Sequence, residues 1–209
     1  MTIDPLTITD DELEHMHQLG VRAVRLNLAS TGAKLSKADF SETLQTYAKR
    51  LKKLNWALQI YLHLPQLAMI AEELPNLEIP IVIDHLAHPP TSSPMSTQPG
   101  YTDFLNLLEK KVIYTKLSGT YRFPDLSDLD HVVQEILRRA PTQVVWASDW
   151  PHTGGGELVA KGERTKLQDF RQVDSHAWIE QCLKWCNNDE DLARKIWVDN
   201  PRRLWQVDV

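Results

Sequence analysis

Short apolar segments alternate with amphipathic helical segments along most of this chain, and this alternation limits the fold more than any other feature. Runs rich in Val and Ile predict strands at residues 21–28, 57–64, 79–86, 112–117 and 143–148. The 3.6-residue periodicity predicts helices at residues 10–20, 37–54, 65–73, 101–110 and 128–140. Strands that alternate with helices in this way favour a parallel sheet covered by helices.

Two α/β architectures fit this pattern, a doubly wound nucleotide-binding sheet and a TIM-barrel-like (β/α)8 fold. No Gly-x-Gly-x-x-Gly motif follows a strand, and the glycines at residues 154–156 lack the rest of that fingerprint, so the barrel is favoured. A complete barrel usually needs about 250 residues. The 209 residues of this chain give five strands, or six at most. We therefore predict one domain over residues 1–209 with an incomplete barrel fold.

The composition limits the classes of partner and compartment. The chain has 42% hydrophobic residues and a formal net charge of −5, and its Lys and Arg residues are scattered, which argues against nucleic-acid binding. No apolar stretch approaches a membrane span, and residues 1–11 lack the pattern of a signal peptide. Cys182 and Cys186 lie four residues apart in a helical pattern and are predicted to be core or half-buried thiols rather than a disulfide or a zinc site. We expect a cytoplasmic protein in a reducing compartment, without membrane or nucleic-acid partners.

Polar side chains follow the predicted strands at the point where each strand ends. Asp149 follows the apolar run 144–147, and Pro151 cannot continue a strand ladder, so Asp149 should lie at a carboxyl end. Carboxyl ends of barrel strands share one mouth, where the chemistry of such folds takes place. The residues expected there are Arg25, Asn27, Tyr61, His63, Asp84, His85, His88, Lys116, Ser118, Tyr121, Arg122, Asp149 and His152. A hydrolytic site needs a carboxylate that can activate water, and it is often completed by imidazoles and by guanidinium groups that bind an anion. This set of residues contains all three kinds of group and therefore indicates a hydrolytic site.

Each of these side chains also has a structural interpretation. Asp149 could cap a helix or form a turn, and His85 could bind a neighbouring carbonyl. Asp84 should point to the opposite face of the strand from His85 and pair with a helix. Tyr121 could anchor a loop, and Arg122 could be a surface charge. Arg25 could form a salt bridge inside the barrel. The hypothesis of a hydrolytic site therefore depends on the joint pattern rather than on any single residue.

Other histidines are expected to be structural. His63 and His88 are predicted to have structural or solvent-exposed roles. His15 and His17 form a His-x-His pair, which on a strand would present two metal ligands on one face. On a helix, residues two apart point about 200° apart, and the segment from residue 10 to 20 is helical. We therefore expect two partly exposed helical histidines.

Five motifs resemble, in order and over nearly the whole chain, those of the amidohydrolase-related family. Within it, they are most similar to the branch that contains 2-pyrone-4,6-dicarboxylate lactonase. The motifs are GVRAVRLN at residues 20–27, IDHLAHP at 83–89, KLSGTYR at 116–122, WASDWPH at 146–152 and NPRRL at 200–204.

This resemblance implies a distorted (β/α)8 barrel that hydrolyses a lactone or a related carbonyl compound. It makes Asp149 the general base and His85 the strand-five histidine of the catalytic site. It assigns Tyr121 and Arg122 to a substrate carboxylate, with Arg25, Tyr61 and His152 as further substrate-binding candidates. The branch is compatible with no cofactor or with a divalent metal such as Zn²⁺, for which His85 and Asp149 would be an incomplete ligand set.

The chain departs from the family pattern at its beginning. Family members begin with a strand that carries His-x-His and a second βα unit, whereas this sequence starts at the third strand, so about two βα units are expected to be absent. Two strand edges would then need cover, for example in a homo-oligomer. Three functions remain open: a hydrolase of a small anionic lactone or cyclic ester or amide, a non-catalytic relative that binds a ligand or partner, and a metal-dependent decarboxylase of an aromatic acid.

Overall fold

Five parallel strands form the centre of the fold. The computed structural model of the chain describes residues 1–29, 35–153, 167 and 169–207, so the glycines at residues 154–156 lie outside the described residues. The strands are β1 (Ala23–Asn27), β2 (Ala57–Tyr61), β3 (Ile81–Ile83), β4 (Ile113–Leu117) and β5 (Val144–Trp146). Their order in the sheet is their order in the chain. A doubly wound sheet reverses its strand order, whereas consecutive order is that of a barrel wall, as predicted.

One helix precedes the first strand, and the others connect successive strands or follow the last one. They are α1 (Asp10–Gln18), α2 (Lys37–Leu51), α3 (Leu64–Ile70), α4 (Tyr101–Glu109), α5 (Leu129–Arg139), α6 (Ser175–Trp185), α7 (Glu190–Arg194) and α8 (Asn200–Trp205). The capping box of Thr9 and Glu12 fixes the start of α1. His15 and His17 therefore lie in a helix, which confirms that they are no strand pair.

The two faces of the sheet have different environments. Val24, Leu58 and Ile83 point to the helices and belong to the main hydrophobic core. On the other face, Ala57 and Val145 join a smaller cluster. Because side chains alternate along a strand, that second face also carries the polar residues Arg25, Gln59 and Lys116. The sheet thus has an apolar outer face and a polar inner face.

The predicted strands are longer than the observed ones, chiefly at β3. The sequence predicts residues 79–86, whereas β3 ends at Ile83. His85, Leu86, Ala87 and His88 all have positive φ angles, between 38° and 60°. A left-handed backbone cannot continue a sheet ladder. The chain therefore turns sharply at the carboxyl end of β3.

The two cysteines and the length of the helices bear on two further predictions. Cys182 and Cys186 are free and buried, which confirms them as core thiols. Burial raises the pKa of both thiols, that of Cys186 to about 11. Within the described ranges, no helix combines the length and apolar character needed to cross a membrane.

Replacing Asn200 by Ala is expected to lower the free energy of unfolding by about 2–3 kcal/mol, because two buried carbonyl groups lose a donor. The fully buried Asn200 amide nitrogen donates to the carbonyl oxygens of Pro141 and Val144, at 2.8 and 2.7 Å, and so ties α8 to the start of β5. Urea denaturation measures the change. Asn106→Ala, at an exposed position on α4, is the control. Equal stability of the two variants would contradict a stabilising role of the Asn200 hydrogen bonds.

Candidate active site

Asp149 lies just beyond β5 and faces the carboxyl end of β4. Its Oδ2 atom accepts hydrogen bonds from the Tyr121 hydroxyl at 2.6 Å and from Arg122 Nε at 2.9 Å. Arg122 Nη2 also donates to the Tyr121 oxygen at 3.1 Å, which closes a three-residue ring. The other carboxylate oxygen, Oδ1, lies 3.6 Å from His85 Nε2. One oxygen of Asp149 is therefore held by donors, and the other faces an imidazole.

The His85 ring is fixed from two sides. Its Nδ1 atom lies 2.8 Å from the buried Ser118 hydroxyl, and its edge packs against the Tyr61 ring at a centroid distance of 5.1 Å. The nearby Asp149 carboxylate favours the tautomer with hydrogen on Nε2, for which the Ser118 hydroxyl donates to Nδ1. In this tautomer, His85 presents an N–H donor toward Asp149 and the mouth of the site.

The environment sets the charge of this pair. Burial lowers the pKa of His85 and outweighs the nearby carboxylates of Asp84 and Asp149, which act to raise it. Burial acts to raise the pKa of Asp149, but the His85 ring and the hydrogen bonds from Tyr121 and Arg122 together hold it below its usual value. At neutral pH, the site therefore combines an ionised carboxylate with a neutral imidazole.

Gly119 leaves room for both catalytic candidates. A Cβ atom at this position would lie 2.7 Å from His85 Nδ1 and 3.1 Å from Asp149 Oδ2, and the residue has a φ of +64°. This role of Gly119 was not predicted from the sequence, although a glycine between Ser118 and Tyr121 is a signal for close approach of the backbone. Gly119 allows the carboxyl ends of three strands to bring their side chains into contact.

Tyr61 and Arg25 complete the cluster on the side of β1 and β2. The Arg25 guanidinium lies over the Tyr61 ring, 4.9 Å from its centroid. The Tyr61 hydroxyl lies 2.6 Å from His88 Nδ1, so Tyr61 offers its ring rather than its hydroxyl to the site. His152 is buried on the opposite side, with its ring edge against Tyr121 at 5.6 Å.

The seven residues predicted from the sequence thus lie in one continuous group, and we call them the strand-end cluster. They are Arg25, Tyr61, His85, Tyr121, Arg122, Asp149 and His152. Their catalytic and substrate-binding roles remain predictions.

The prediction that Asp84 pairs with a helix is wrong. Its carboxylate instead binds Arg25 Nε at 2.9 Å and lies 3.2 Å from Lys116 Nζ, both on the inner face of the sheet. The prediction assumed that residues 84 and 85 continue the strand and alternate between faces. Ile83 faces the helices, so alternation places Asp84 on the inner face, and the positive φ of His85 turns the chain so that His85 departs from the alternation instead.

His63 and His88 pack together beside the strand-end cluster. His63 Nδ1 lies 3.1 Å from the His88 carbonyl oxygen, and the two rings are 4.6 Å apart. Burial, reinforced by the neighbouring His63 and His85 rings and by Arg122, lowers the pKa of His88 to about 3, and Asp149 opposes this shift. His88 is therefore neutral in the folded protein and shares a hydrogen bond with the Tyr61 hydroxyl.

The free energy of unfolding is expected to fall as the pH drops below 6.5. His88 stays neutral in the folded state down to about pH 3, whereas in the unfolded chain it binds a proton near its ordinary pKa of 6.5. Protons therefore stabilise the unfolded state, by up to about 2 kcal/mol for this group between pH 6.5 and 5. Urea denaturation at several pH values measures the slope. His88→Gln should reduce this slope, whereas His176→Gln, at an exposed position, should not. An unchanged slope in His88→Gln would contradict His88 as the source of the pH dependence.

A cavity of about 330 Å³ lies behind the strand-end cluster. Gly119, Tyr121 and Ser148 form one wall, and Trp178 and Trp185 of α6 form another. A second cavity, of about 560 Å³, lies between α5 and the helices that follow. Neither cavity is lined by Asp149 or His85, the two catalytic candidates.

The donor set does not by itself fit a catalytic zinc centre. Such a centre usually has three protein ligands. No group of three or more His, Cys, Asp or Glu side chains suited to a metal occurs in the described part of the chain. His85 and Asp149 supply two donors, and Asp149 Oδ2 already accepts hydrogen bonds from Tyr121 and Arg122.

Comparison with protein families decides the family. The profile described as amidohydrolase matches residues 1–207, nearly the full length of the chain. The chain belongs to the amidohydrolase family. The resemblance inferred from the five sequence motifs is thereby confirmed.

Named members of the amidohydrolase family show what the chain is similar to. The 4-sulfomuconolactone hydrolase of Hydrogenophaga intermedia is 26% identical over 206 residues, which are 95% of this chain and 62% of that protein. The 2-pyrone-4,6-dicarboxylate hydrolase of Comamonas testosteroni is 24% identical over 212 residues, which are 95% of this chain and 64% of that protein. The chain thus spans less than two thirds of the length of these curated relatives.

A solved structure extends the similarity to the fold. It is that of a probable 2-pyrone-4,6-dicarboxylic acid hydrolase from Acinetobacter baumannii with citric acid bound. Its TM-score is 0.73 at 25% identity, and the match covers 99% of this chain and 72% of that one. The predicted barrel-like fold of the amidohydrolase family is therefore confirmed.

Proposed function

We propose that this chain provides the catalytic part of a hydrolase for a small, carboxylated lactone. The observation that carries the proposal is the Asp149 carboxylate, which is held through Oδ2 by Tyr121 and Arg122 while Oδ1 lies 3.6 Å from His85 Nε2. A carboxylate with one fixed and one available oxygen can orient and deprotonate a water molecule. Membership of the amidohydrolase family and two relatives named as hydrolases of lactone-type compounds support the same reaction class.

In this mechanism, Asp149 Oδ1 accepts a proton from water as the water oxygen attacks the lactone carbonyl carbon. The bond between that carbon and the ring oxygen then breaks, and Asp149 returns the proton to the leaving oxygen. The products are a carboxylic acid, which ionises, and a hydroxyl group on the opened ring. The lowered pKa of Asp149 keeps the carboxylate ionised and available to accept the proton.

The neighbouring side chains stabilise the charge that develops. The His85 Nε2–H group can donate a hydrogen bond to the carbonyl oxygen as it becomes an oxyanion. Arg122 uses its Nε and Nη2 atoms for Asp149 and Tyr121, which leaves the Nη1 edge to bind a substrate carboxylate. Arg25, on the other side of His85, offers a second cationic group. We propose Tyr61 and His152 as packing walls for the substrate ring.

An anionic substrate agrees with the charge of the site. Arg25, Arg122 and Lys116 contribute three positive charges, whereas Asp84 and Asp149 contribute two negative charges and His85 is neutral. A carboxylated substrate therefore meets a site with an excess of positive charge. The structural neighbour from Acinetobacter baumannii, which holds citric acid, gives independent support for a carboxylate ligand.

A panel of lactones, with and without a carboxylate, tests the proposed reaction. The chain is incubated with each compound while ring opening and release of CO₂ are both measured. We expect ring opening of carboxylated lactones without CO₂. Release of CO₂ would support the decarboxylase alternative, for which the described residues supply only two metal donors. Binding without any product would support a non-catalytic relative.

A further inference from the structure

One buried carboxylate on the inner face of the sheet is shared by two cations. The Asp84 side chain is only 1% exposed. Its Oδ2 atom accepts hydrogen bonds from Arg25 Nε at 2.9 Å and lies 2.8 Å from Arg25 Nη2, while Oδ1 lies 3.2 Å from Lys116 Nζ. Two positive charges thus accompany a single negative one, and the group keeps a net charge of about +1.

Gln59 fixes the geometry of this group. Its amide nitrogen donates to Asp84 Oδ2 at 2.6 Å, and its amide oxygen accepts from Lys116 Nζ at 2.5 Å. The four side chains come from β1, β2, the end of β3 and β4, so four neighbouring strands hold the network. Both cations are therefore oriented before any ligand binds, which reduces the entropy lost on binding.

The two cations are placed beside the proposed catalytic residues. Asp84 directly precedes His85, and Arg25 lies over the Tyr61 ring that packs on His85. Lys116 lies on β4, two residues before Ser118, the partner of His85 just beyond the end of that strand. The side chains of Arg25 and Lys116 remain 32% and 18% exposed. Both charges can therefore reach a ligand at the inner face.

We propose that Lys116 is a substrate-recognition residue that, together with Arg25, binds a carboxylate of the substrate, and that Asp84 and Gln59 position this pair. The inference rests on the proposed hydrolase function, since it names a second recognition element of the same site. A purely structural Lys116 would donate to Gln59, lie over the Trp205 ring at 5.9 Å from its centroid, and neutralise Asp84. Arg25 alone already balances that charge, so the second cation is in excess of what the buried carboxylate requires.

Lys116→Met tests the proposal, because Met keeps an unbranched aliphatic side chain without the charge and leaves Asp84 Oδ2 paired with Arg25 and Gln59. A carboxylated lactone and its neutral methyl ester serve as matched substrates. We expect KM for the carboxylated lactone to rise about tenfold or more, as for the loss of a charge-assisted hydrogen bond. KM for the ester should change less than about twofold, and Lys116→Arg should restore the wild-type preference. The exposed Lys184→Met is the matched control.

Citrate binding, measured by calorimetry, separates this inference from the proposed function. We expect the citrate Kd to rise about tenfold in Lys116→Met and to stay unchanged in Lys184→Met. If the wild-type chain opens no lactone, the proposed function fails, but the citrate measurement still tests whether Lys116 binds a carboxylate. Three results would overturn the inference. They are equal citrate affinity in wild type and Lys116→Met, no citrate binding by wild type, and equal KM changes for both substrates.

Discussion

Asp149→Asn is expected to lower kcat for lactone hydrolysis by about 10³-fold, within the range typical of a lost general base. An amide oxygen at this position can still accept hydrogen bonds from Tyr121 and Arg122, but it cannot take a proton from water. The arrangement around Oδ2 should therefore survive while the base is lost. Ring-opening kinetics measure the effect, and thermal denaturation followed by circular dichroism shows whether the fold is kept.

The exposed Asp125→Asn makes the same chemical change away from the strand-end cluster and is the matched control. It should keep wild-type kinetics and thermal stability. Turnover by Asp149→Asn within about tenfold of wild type would remove Asp149 from the mechanism, because general bases contribute at least about 10²-fold.

Gly119→Ala is expected to have the second-largest effect, a fall in kcat of about 10²-fold, as for a displacement of reacting groups by about 1 Å. The added Cβ would lie 2.7 Å from His85 Nδ1 and 3.1 Å from Asp149 Oδ2, so at least one of the two must move. The positive φ and the crowding should also lower the free energy of unfolding by about 2–3 kcal/mol.

Gly20→Ala separates crowding from backbone strain. Gly20 also has a positive φ, +94°, but nothing lies within 4 Å of its added Cβ. This variant should lose about 1–2 kcal/mol of stability from its left-handed backbone and keep its kcat. Equal kcat values for Gly119→Ala and Gly20→Ala would contradict the close approach of Gly119 to the catalytic candidates.

The fold and the strand-end cluster were largely predictable from local sequence patterns. Apolar runs that end in polar residues mark the carboxyl ends of parallel strands, and parallel strands bring those ends together whatever their separation in the chain. Asp149 and His85, 64 residues apart in the sequence, therefore meet as expected. The existence and order of the elements follow from this periodicity, whereas their exact ends do not.

The errors arise where backbone conformation replaces periodicity. The left-handed turn that begins at His85 breaks the alternation after Asp84, so His85 and Asp84 do not point to opposite faces as predicted, and no apolar pattern marks such a turn. The contact between the Tyr61 hydroxyl and His88 could not be predicted from the sequence either, while the binding role of Tyr61 stays a prediction. Contacts of this kind depend on three-dimensional packing between strands, which a single sequence does not specify.

Hydrolysis of a carboxylated lactone in ¹⁸O-labelled water tests the central claim most directly. Mass spectrometry of the product locates the label, and wild type is compared with Asp149→Asn over the same time. Water activated by Asp149 should place one ¹⁸O atom in the new carboxylate, with incorporation about 10³-fold slower in Asp149→Asn. Label in the hydroxyl group, or equal incorporation by the two proteins, would contradict a mechanism in which Asp149 directs water to the carbonyl carbon.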